Sequence, residues 1–150
     1  MQIFENKFIV RDFQKRDYQQ VINVWFETAL TRPERGDNLE VIEKTLALGG
    51  KLFILEDIEK HLVIGTSWIT NDGRRLHLQY FAILPEYQAK GLAHYLMIES
   101  LKYAKNLGMQ IKLEVHKDNF IAKKLYEKWN FKLLGPYQIF ILRDLSELNF

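Results

Sequence analysis

The stretch from Leu76 to Leu107 constrains the fold of this chain more than any other. It begins with the apolar run LHLQYFAI, continues through the turn LPEYQAK, and ends in GLAHYLMIESLKYAKNL, where apolar residues recur at helical spacing. The pattern predicts a buried strand that leads through a short turn into a long amphipathic helix. The first N–H groups of a helix have no partner within it, and the helix dipole adds partial positive charge there. This junction therefore predicts a site for an anion.

Length and composition limit what else the chain can be. Its 150 residues predict one domain, residues 1–150, and a formal charge of +2 gives no reason to expect a nucleic-acid partner. The absence of cysteine excludes disulfides and thiolate chemistry and fits a reducing compartment. The sequence holds neither an apolar run of 18 residues nor a signal segment. We therefore expect a cytoplasmic protein that does not bind membranes.

The order of elements along the chain predicts an α/β (α+β) fold. Periodicity and turn residues indicate the order β, α, α, β, β, β, α, β, α, β, β, with closing strands at FKLLG and PYQIFILRDL. The step from Leu76 through the helix to the strand before His116 makes two strands parallel. The expected architecture is a mixed, mostly antiparallel sheet of about seven strands with helices on both faces.

Ligands in open sheets favour the crevice beyond the carboxyl ends of parallel strands. The segment Gln88 to Ala93 lies at that point. Gly91 and the small Ala93 let an anion approach the backbone closely, and Lys90 adds charge. The alternative is that the glycine only makes a turn. The segment lacks the glycine patterns of nucleotide-binding and dinucleotide-binding loops, so a different diphosphate ligand is expected.

Two motifs together resemble those of the GCN5-related N-acetyltransferase (GNAT) family. The family pattern Q/R-x-x-G-x-G/A is matched by Gln88, Gly91 and Ala93, after Ile83, Pro85, Glu86 and Tyr87 in the place of I-x-P-E-Y. A second pattern, a strand followed by an asparagine and a helix with a tyrosine, is matched by LEVHKDNFIAKKLYEKWNF. Ala93 replaces the commoner second glycine, which the pattern allows. The two motifs cover about a third of the chain in the family's order and spacing.

The resemblance implies acetyl transfer from acetyl-coenzyme A (acetyl-CoA) to an amine, without a metal. It places the pyrophosphate on the backbone amides from Ala89 to His94. The pantetheine arm would pair with Phe81 to Ile83, in a splay between the two central parallel strands. The residues implied to bind the donor are Phe81, Ala82, Ile83, Gln88, Ala89, Lys90, Gly91, Leu92, Ala93, His94 and Asn119. Asn119 is equally suited to capping the last helix.

The same resemblance implies two catalytic residues, Glu114 and Tyr126. An amine with a pKa of about 8 to 10.4 must lose a proton before it attacks a thioester, and Glu114 is the leading proton acceptor. Tyr126 matches the family's catalytic tyrosine, whose phenol can donate a proton to the leaving thiolate. The alternatives are a solvated strand carboxylate and a packing residue on the helix. His116, Gln79 and Tyr80 are reserve candidates for the base.

Two matters stay open at the sequence level. A non-catalytic acyl-CoA sensor or interaction domain is the alternative to an enzyme, although Glu114 and Tyr126 together favour the enzyme. The acceptor is a primary amine on a small molecule or a protein, and it is expected to enter between the loop from Thr31 to Asn38 and the closing strands near Tyr137. That loop carries Arg32, Glu34, Arg35 and Asp37, so the sequence predicts no substrate charge. We expect a monomer or a homodimer.

Overall fold

A computed structural model of the chain describes residues 2–4, 7–146 and 148. The chain divides into two compact units, one that ends at Glu114 and one that begins at Val115. The prediction of a single domain over residues 1–150 stays a prediction, and each unit is described by itself below.

The first unit is built on one sheet whose six strands lie in chain order. Neighbouring strands from β1 to β5 are antiparallel, and β5 and β6 are parallel. The strands are β1 (Gln2–Phe4), β2 (Phe8–Asp12), β3 (Lys51–Asp57), β4 (Leu62–Asn71), β5 (Leu76–Ile83) and β6 (Ile111–Leu113). Its helices are α1 (Tyr18–Glu27), α2 (Leu39–Ala47) and α3 (Ala93–Leu107). This is the mixed, mostly antiparallel α/β architecture that the sequence predicts.

The side chains of β4 show that helices cover both faces of the sheet. Thr66 and Trp68 contact α1 and α2, because Thr66 accepts a hydrogen bond from Trp25 and Trp68 donates one to Thr45. Ser67 points the opposite way and shares a hydrogen bond of 2.7 Å with Ser100 of α3. All three β4 residues are buried. A strand buried on both sides accounts for the nearly continuous apolar run LVIGTSWIT.

The second unit contains one described helix, α4 (Phe120–Lys128). Asn119 precedes it, and its side chain accepts a hydrogen bond from the Ala122 N–H, so Asn119 is the N-cap as its sequence position suggests. Trp129 follows the last helical residue.

The structure differs from the sequence prediction in three details. The two closing strands are not formed, so the described sheet has six strands, and β6 lies at its edge rather than at the centre. Helix α3 begins at Ala93, two residues after Gly91. Residues such as Ile139 and Phe140 have high strand propensity but are 70% and 88% exposed. Propensity alone does not make a strand, because a strand exists only where its backbone pairs with another.

Candidate active site

The parallel pair of strands opens partway along its length. Register pairs join only Leu76–Leu78 of β5 to Ile111–Leu113 of β6, whereas β5 continues to Ile83. Beyond Leu78, β5 therefore has β4 on one side and no register partner in β6 on the other. Phe81, Ala82 and Ile83 lie on this segment, beyond the last register pair with β6. Its backbone can pair with an extended ligand as it would with another strand.

The turn after β5 has a backbone conformation that suits an anion, and its role as the anion site stays a prediction. Gly91 has a φ of +75° and is followed by Leu92 in the right-handed helical region. Successive residues of opposite hand direct their N–H groups into one concavity, which suits an anion. In the described part of the chain, the N–H groups of Gly91, Leu92 and Ala93 donate no hydrogen bond. These three donors lie at the positive end of the α3 dipole.

Side chains hold this turn to the end of β5. The amide of Gln88 donates a hydrogen bond of 2.8 Å to the Ile83 carbonyl, and the ammonium of Lys90 donates one of 2.8 Å to the Glu86 carbonyl. The side chain of Leu92 is buried, so its N–H is the part of it that a ligand can reach. Ala89 also has a positive φ, +58°, which puts a second left-handed residue in the turn. His94 lies in the first turn of α3 and is half-buried.

A buried carboxylate under the turn was missed by sequence reasoning. The hydroxyl of Tyr87 donates to Asp57, which is fully buried, and accepts a hydrogen bond of 2.9 Å from Lys60. The ammonium groups of Lys60 and Lys90 lie 5.2 and 5.3 Å from the centre of the Tyr87 ring. Two cations therefore flank Tyr87, the residue that precedes the segment from Gln88 to Ala93. Asp57 ends a strand before a turn, where an aspartate is ordinary, so the sequence gives no signal of this contact.

A β-bulge places Tyr80 on the α1 and α2 face of the sheet. Thr66 pairs with Ala82 and Trp68 with Gln79, so β5 has one extra residue here, and Tyr80 has a φ of +44°. The Tyr80 ring lies 4.3 Å from that of Trp25 and 5.5 Å from that of Trp68. Burial and a short hydrogen bond to Asp37 raise the pKa of Tyr80. The phenol therefore stays protonated at neutral pH.

A cleft of about 210 Å³ opens beside Tyr80. It is lined by Ile22 and Trp25 of α1 and by most of the loop from Thr31 to Asn38. Within that loop, Asn38 caps α2 by accepting a hydrogen bond of 3.0 Å from the Val41 N–H. The loop is therefore anchored at the start of α2 while its preceding residues line the cleft.

Glu114 ends the first unit and lies next to His77. Its Oε1 is 3.8 Å from His77 Nε2, and the Glu114 side chain is 48% exposed. Burial lowers the pKa of His77, and the charge of Glu114 opposes that effect only in part. His77 pairs with Thr70 on the α1 and α2 face, so Glu114 contacts the face that also carries Gln79 and Tyr80. This face gathers the polar candidates for a proton acceptor.

The remaining predicted residues belong to the second unit. Tyr126 lies seven residues, or two helical turns, after Asn119, so the two are on the same side of α4. Burial raises the pKa of Tyr126 to about 12, and its ring meets that of Phe131 edge-on at 5.8 Å. His116 accepts a hydrogen bond from the Asp118 N–H. Cofactor and catalytic roles for these residues stay predictions.

The described residues hold neither a metal-binding cluster nor a membrane-spanning helix. No group of three or more histidine, aspartate or glutamate side chains in that part of the chain is placed to hold a metal ion. No helix within it has both the length and the apolar character needed to cross a bilayer.

The fold recurs in solved structures of acetyltransferases. An acetyltransferase from Streptococcus agalactiae 2603 is 18% identical, with 94% of this chain and 95% of that chain covered at a TM-score of 0.77. Glucosamine-6-phosphate N-acetyltransferase from Arabidopsis thaliana is 16% identical, with 91% and 99% covered at 0.71. A GNAT family acetyltransferase from Elizabethkingia anophelis with acetyl-CoA bound is 14% identical, with 87% and 80% covered at 0.62. These likenesses are of fold.

The sequence itself matches a family model. Residues 11–131 fit the model of the acetyltransferase (GNAT) family. That range includes β5, the turn that follows it and α4. With most of its length matched and the fold shared, this chain belongs to the acetyltransferase (GNAT) family.

Proposed function

We propose that this protein transfers the acetyl group of acetyl-CoA to a primary amine by direct attack on the thioester. The observation that carries the proposal is the row of backbone donors at Gly91, Leu92 and Ala93, in the turn that follows β5. A diphosphate suits the donors, and an extended amide-bearing arm suits β5. Coenzyme A joins these two groups in one molecule.

The donor would lie along β5 and end at the turn. In this arrangement, backbone groups of Phe81, Ala82 and Ile83 pair with the pantetheine arm. The pyrophosphate accepts hydrogen bonds from the amides between Ala89 and His94. Gln88 fixes the turn to Ile83, and Lys90 adds positive charge beside the phosphates. Asn119, while capping α4, would provide a further contact to coenzyme A.

In acetyl transfer the nitrogen of an ammonium acceptor loses two protons, and the leaving sulfur gains one. Glu114 takes a proton from the ammonium form of the acceptor, and the freed amine attacks the thioester carbonyl. A backbone N–H of the Phe81 to Ile83 segment stabilises the resulting oxyanion. When the carbon–sulfur bond breaks, the phenol of Tyr126 donates its proton to the thiolate. The nitrogen loses its second proton as the amide forms, and that proton restores the Tyr126 phenol. The products are the acetylated amine and coenzyme A.

The pKa of Tyr126 suits a hydrogen-bond donor. Burial raises that pKa to about 12, so the phenol remains protonated throughout the neutral range. Glu114 is half-exposed and can pass the proton on to solvent. A cytoplasmic location and a monomeric or homodimeric state complete the proposal.

A pair of measurements tests the proposal. Calorimetry with acetyl-CoA measures donor binding, and thiol release in the presence of a panel of amines measures transfer. We expect micromolar binding and amine-dependent release, with the acetylated amine identified by mass. Tight binding without release for any amine would favour the acyl-CoA sensor instead. Absence of binding would contradict both functions.

A further inference from the structure

The cleft beside Tyr80 is lined by side chains of both charges. The loop from Thr31 to Asn38 holds two arginines and two acids, a mixture from which the sequence predicts no preference. In the structure, Arg32 and Asp37 line the cleft. The loop therefore presents one cationic and one anionic side chain to the same small volume.

The anionic side of the cleft is fixed in position. Asp37 is half-buried and accepts a hydrogen bond from the Tyr80 hydroxyl. That bond uses one carboxylate oxygen, and a carboxylate has lone pairs for further donors. An acceptor amine arrives largely protonated at neutral pH, as an ammonium group with three donors. Asp37 is therefore a charged partner for the acceptor's ammonium group.

Asp37 is connected through Tyr80 to the strand expected to hold the donor. Its partner Tyr80 immediately precedes the Phe81 to Ile83 segment, and strand residues advance by about 3.3 Å each. Trp25 and Trp68 pack on the Tyr80 ring and limit its movement. An ammonium group bound to Asp37 would therefore be held next to β5, the strand along which the thioester is expected to lie.

The cationic side of the cleft comes from Arg32. Its side chain is exposed, and within the described residues it forms no ion pair. The guanidinium of Arg35 lies 5.5 Å from the centre of the Tyr80 ring, beside Tyr80 and Asp37, and does not line the cleft, so Arg32 is the arginine that a ligand in the cleft meets. Guanidinium groups bind carboxylate and phosphate oxygens in pairs. A cleft of about 210 Å³ is below the usual range for drug-sized ligands and suits a small metabolite.

We propose that this cleft selects acceptors that carry both a primary amine and an anionic carboxylate or phosphate group. Asp37 binds the ammonium end and Arg32 the anionic end, so both act as specificity-determining residues. The inference rests on the proposed N-acetyltransferase function and specifies its acceptor. Neutral amines lack the group that Arg32 binds, and peptide amines exceed the cleft.

The test compares matched acceptors in a thiol-release assay with acetyl-CoA. Standard amino acids are paired with their amides, and phosphoethanolamine and hexosamine phosphates are paired with ethanolamine and the free hexosamines. We expect at least one charged member to exceed its neutral partner by about ten-fold or more in kcat/KM, since one hydrogen bond to a charged group is lost. The two sets of pairs distinguish a carboxylate from a phosphate.

Two variants connect the selectivity to the cleft. Arg32→Gln should lower kcat/KM by about ten-fold for the preferred anionic acceptor and leave its neutral partner unchanged. Asp37→Asn should raise KM for both by about ten-fold while the Kd for acetyl-CoA stays the same. Arg74→Gln, which removes an exposed arginine from the turn between β4 and β5, is the control and should change neither value.

The outcomes separate this inference from the proposed function. Equal rates for charged and neutral partners, or higher rates with peptide amines, overturn the inference while the acetyltransferase function stands. Selectivity that survives in Arg32→Gln overturns the assignment of Arg32. Acetyl-CoA binding without thiol release for any amine overturns the proposed function, and the inference with it.

Discussion

Gly91 is the single residue on which the donor site depends most. Its φ of +75° is a conformation that side chains rarely adopt, and the space where a Cβ would lie is open. In the proposed complex the phosphates occupy the region above this backbone. Gly91→Val should therefore weaken acetyl-CoA binding by about 100-fold or more, because at least two hydrogen bonds to a charged group, about 1.5–3 kcal/mol each, are lost. Calorimetry measures the change.

Gly108 provides a matched control for that experiment. Gly108 follows the last residue of α3 and has a φ of +64°, and a Cβ at this position would also meet open space. Gly108→Val introduces similar backbone strain about 25 Å away along the helix. We expect both variants to lose comparable thermal stability and only Gly91→Val to lose donor affinity. Equal donor affinity in the two variants would contradict the pyrophosphate assignment.

Tyr126 is expected to act on turnover and not on binding. Tyr126→Phe removes the proposed proton donor and should lower kcat by about ten-fold or more, with the Kd for acetyl-CoA nearly unchanged. Because burial raises the pKa of Tyr126 to about 12, the phenol keeps its proton up to pH 10. The pH–rate profiles of the wild type and the variant should therefore have the same shape between pH 6 and 10.

A second tyrosine tests whether the loss of any phenol has this effect. Tyr103 of α3 donates a hydrogen bond of 2.9 Å to the Gly49 carbonyl, and Tyr103→Phe removes a hydroxyl from an ordinary structural contact. Turnover should be retained in that variant. If Tyr126→Phe also retained full turnover, the acid role of Tyr126 would be wrong.

At the scale of elements, the bulge in β5 is held by one buried hydroxyl. Thr66 accepts a hydrogen bond of 3.0 Å from the Trp25 indole and donates one of 2.7 Å to the Tyr80 carbonyl, so it joins α1, β4 and the bulge. Thr66→Val leaves a buried donor and a buried acceptor without partners. We expect the free energy of unfolding to fall by about 2–4 kcal/mol in urea titrations.

The same substitution four residues along the strand is the control. Thr70 accepts a hydrogen bond from Gln79, but both residues are only half-buried, so the amide can turn to water. Thr70→Val should cost less than about 1 kcal/mol. A similar cost at both positions would mean that the Thr66 hydroxyl is not what stabilises the bulge.

Elements with a local pattern were predictable from sequence, and elements defined by a distant partner were not. Turn residues and periodicity predicted β5, the turn after it and α3, because Gly91 and the apolar stripe along α3 are local features of the sequence. The bulge at Tyr80 and its contact with Asp37 depend on Trp25 and Trp68, which pack on the ring from α1 and β4. The prediction of two closing strands was wrong for a related reason, because strand pairing is never a property of one segment.

Stability of the molecule as a whole should depend on pH through Asp17. Arg11 of β2 donates two hydrogen bonds to this buried carboxylate, of 2.8 and 2.9 Å, and a third of 2.7 Å to Glu56 of β3. Burial favours a higher pKa for Asp17, but the hydrogen bonds from Arg11 and Gln14 outweigh it and hold the pKa below its usual value. The charged carboxylate therefore stabilises the folded state above the unfolded pKa of about 3.9.

This stabilisation is lost as the pH falls through the folded pKa. Asp17→Asn should lower the free energy of unfolding by about 3 kcal/mol at pH 7, because the largely buried Arg11 loses one of its two charged partners. Below about pH 5 the difference in free energy of unfolding between the wild type and the variant should decrease, since the wild-type carboxyl also becomes neutral. Asp12→Asn, which breaks the exposed pair with Lys51, should cost less than about 1 kcal/mol at pH 7. Denaturant titrations from pH 3 to 7 measure the difference in free energy of unfolding between the wild type and Asp17→Asn. A difference that stayed constant over this range would contradict the role of Asp17.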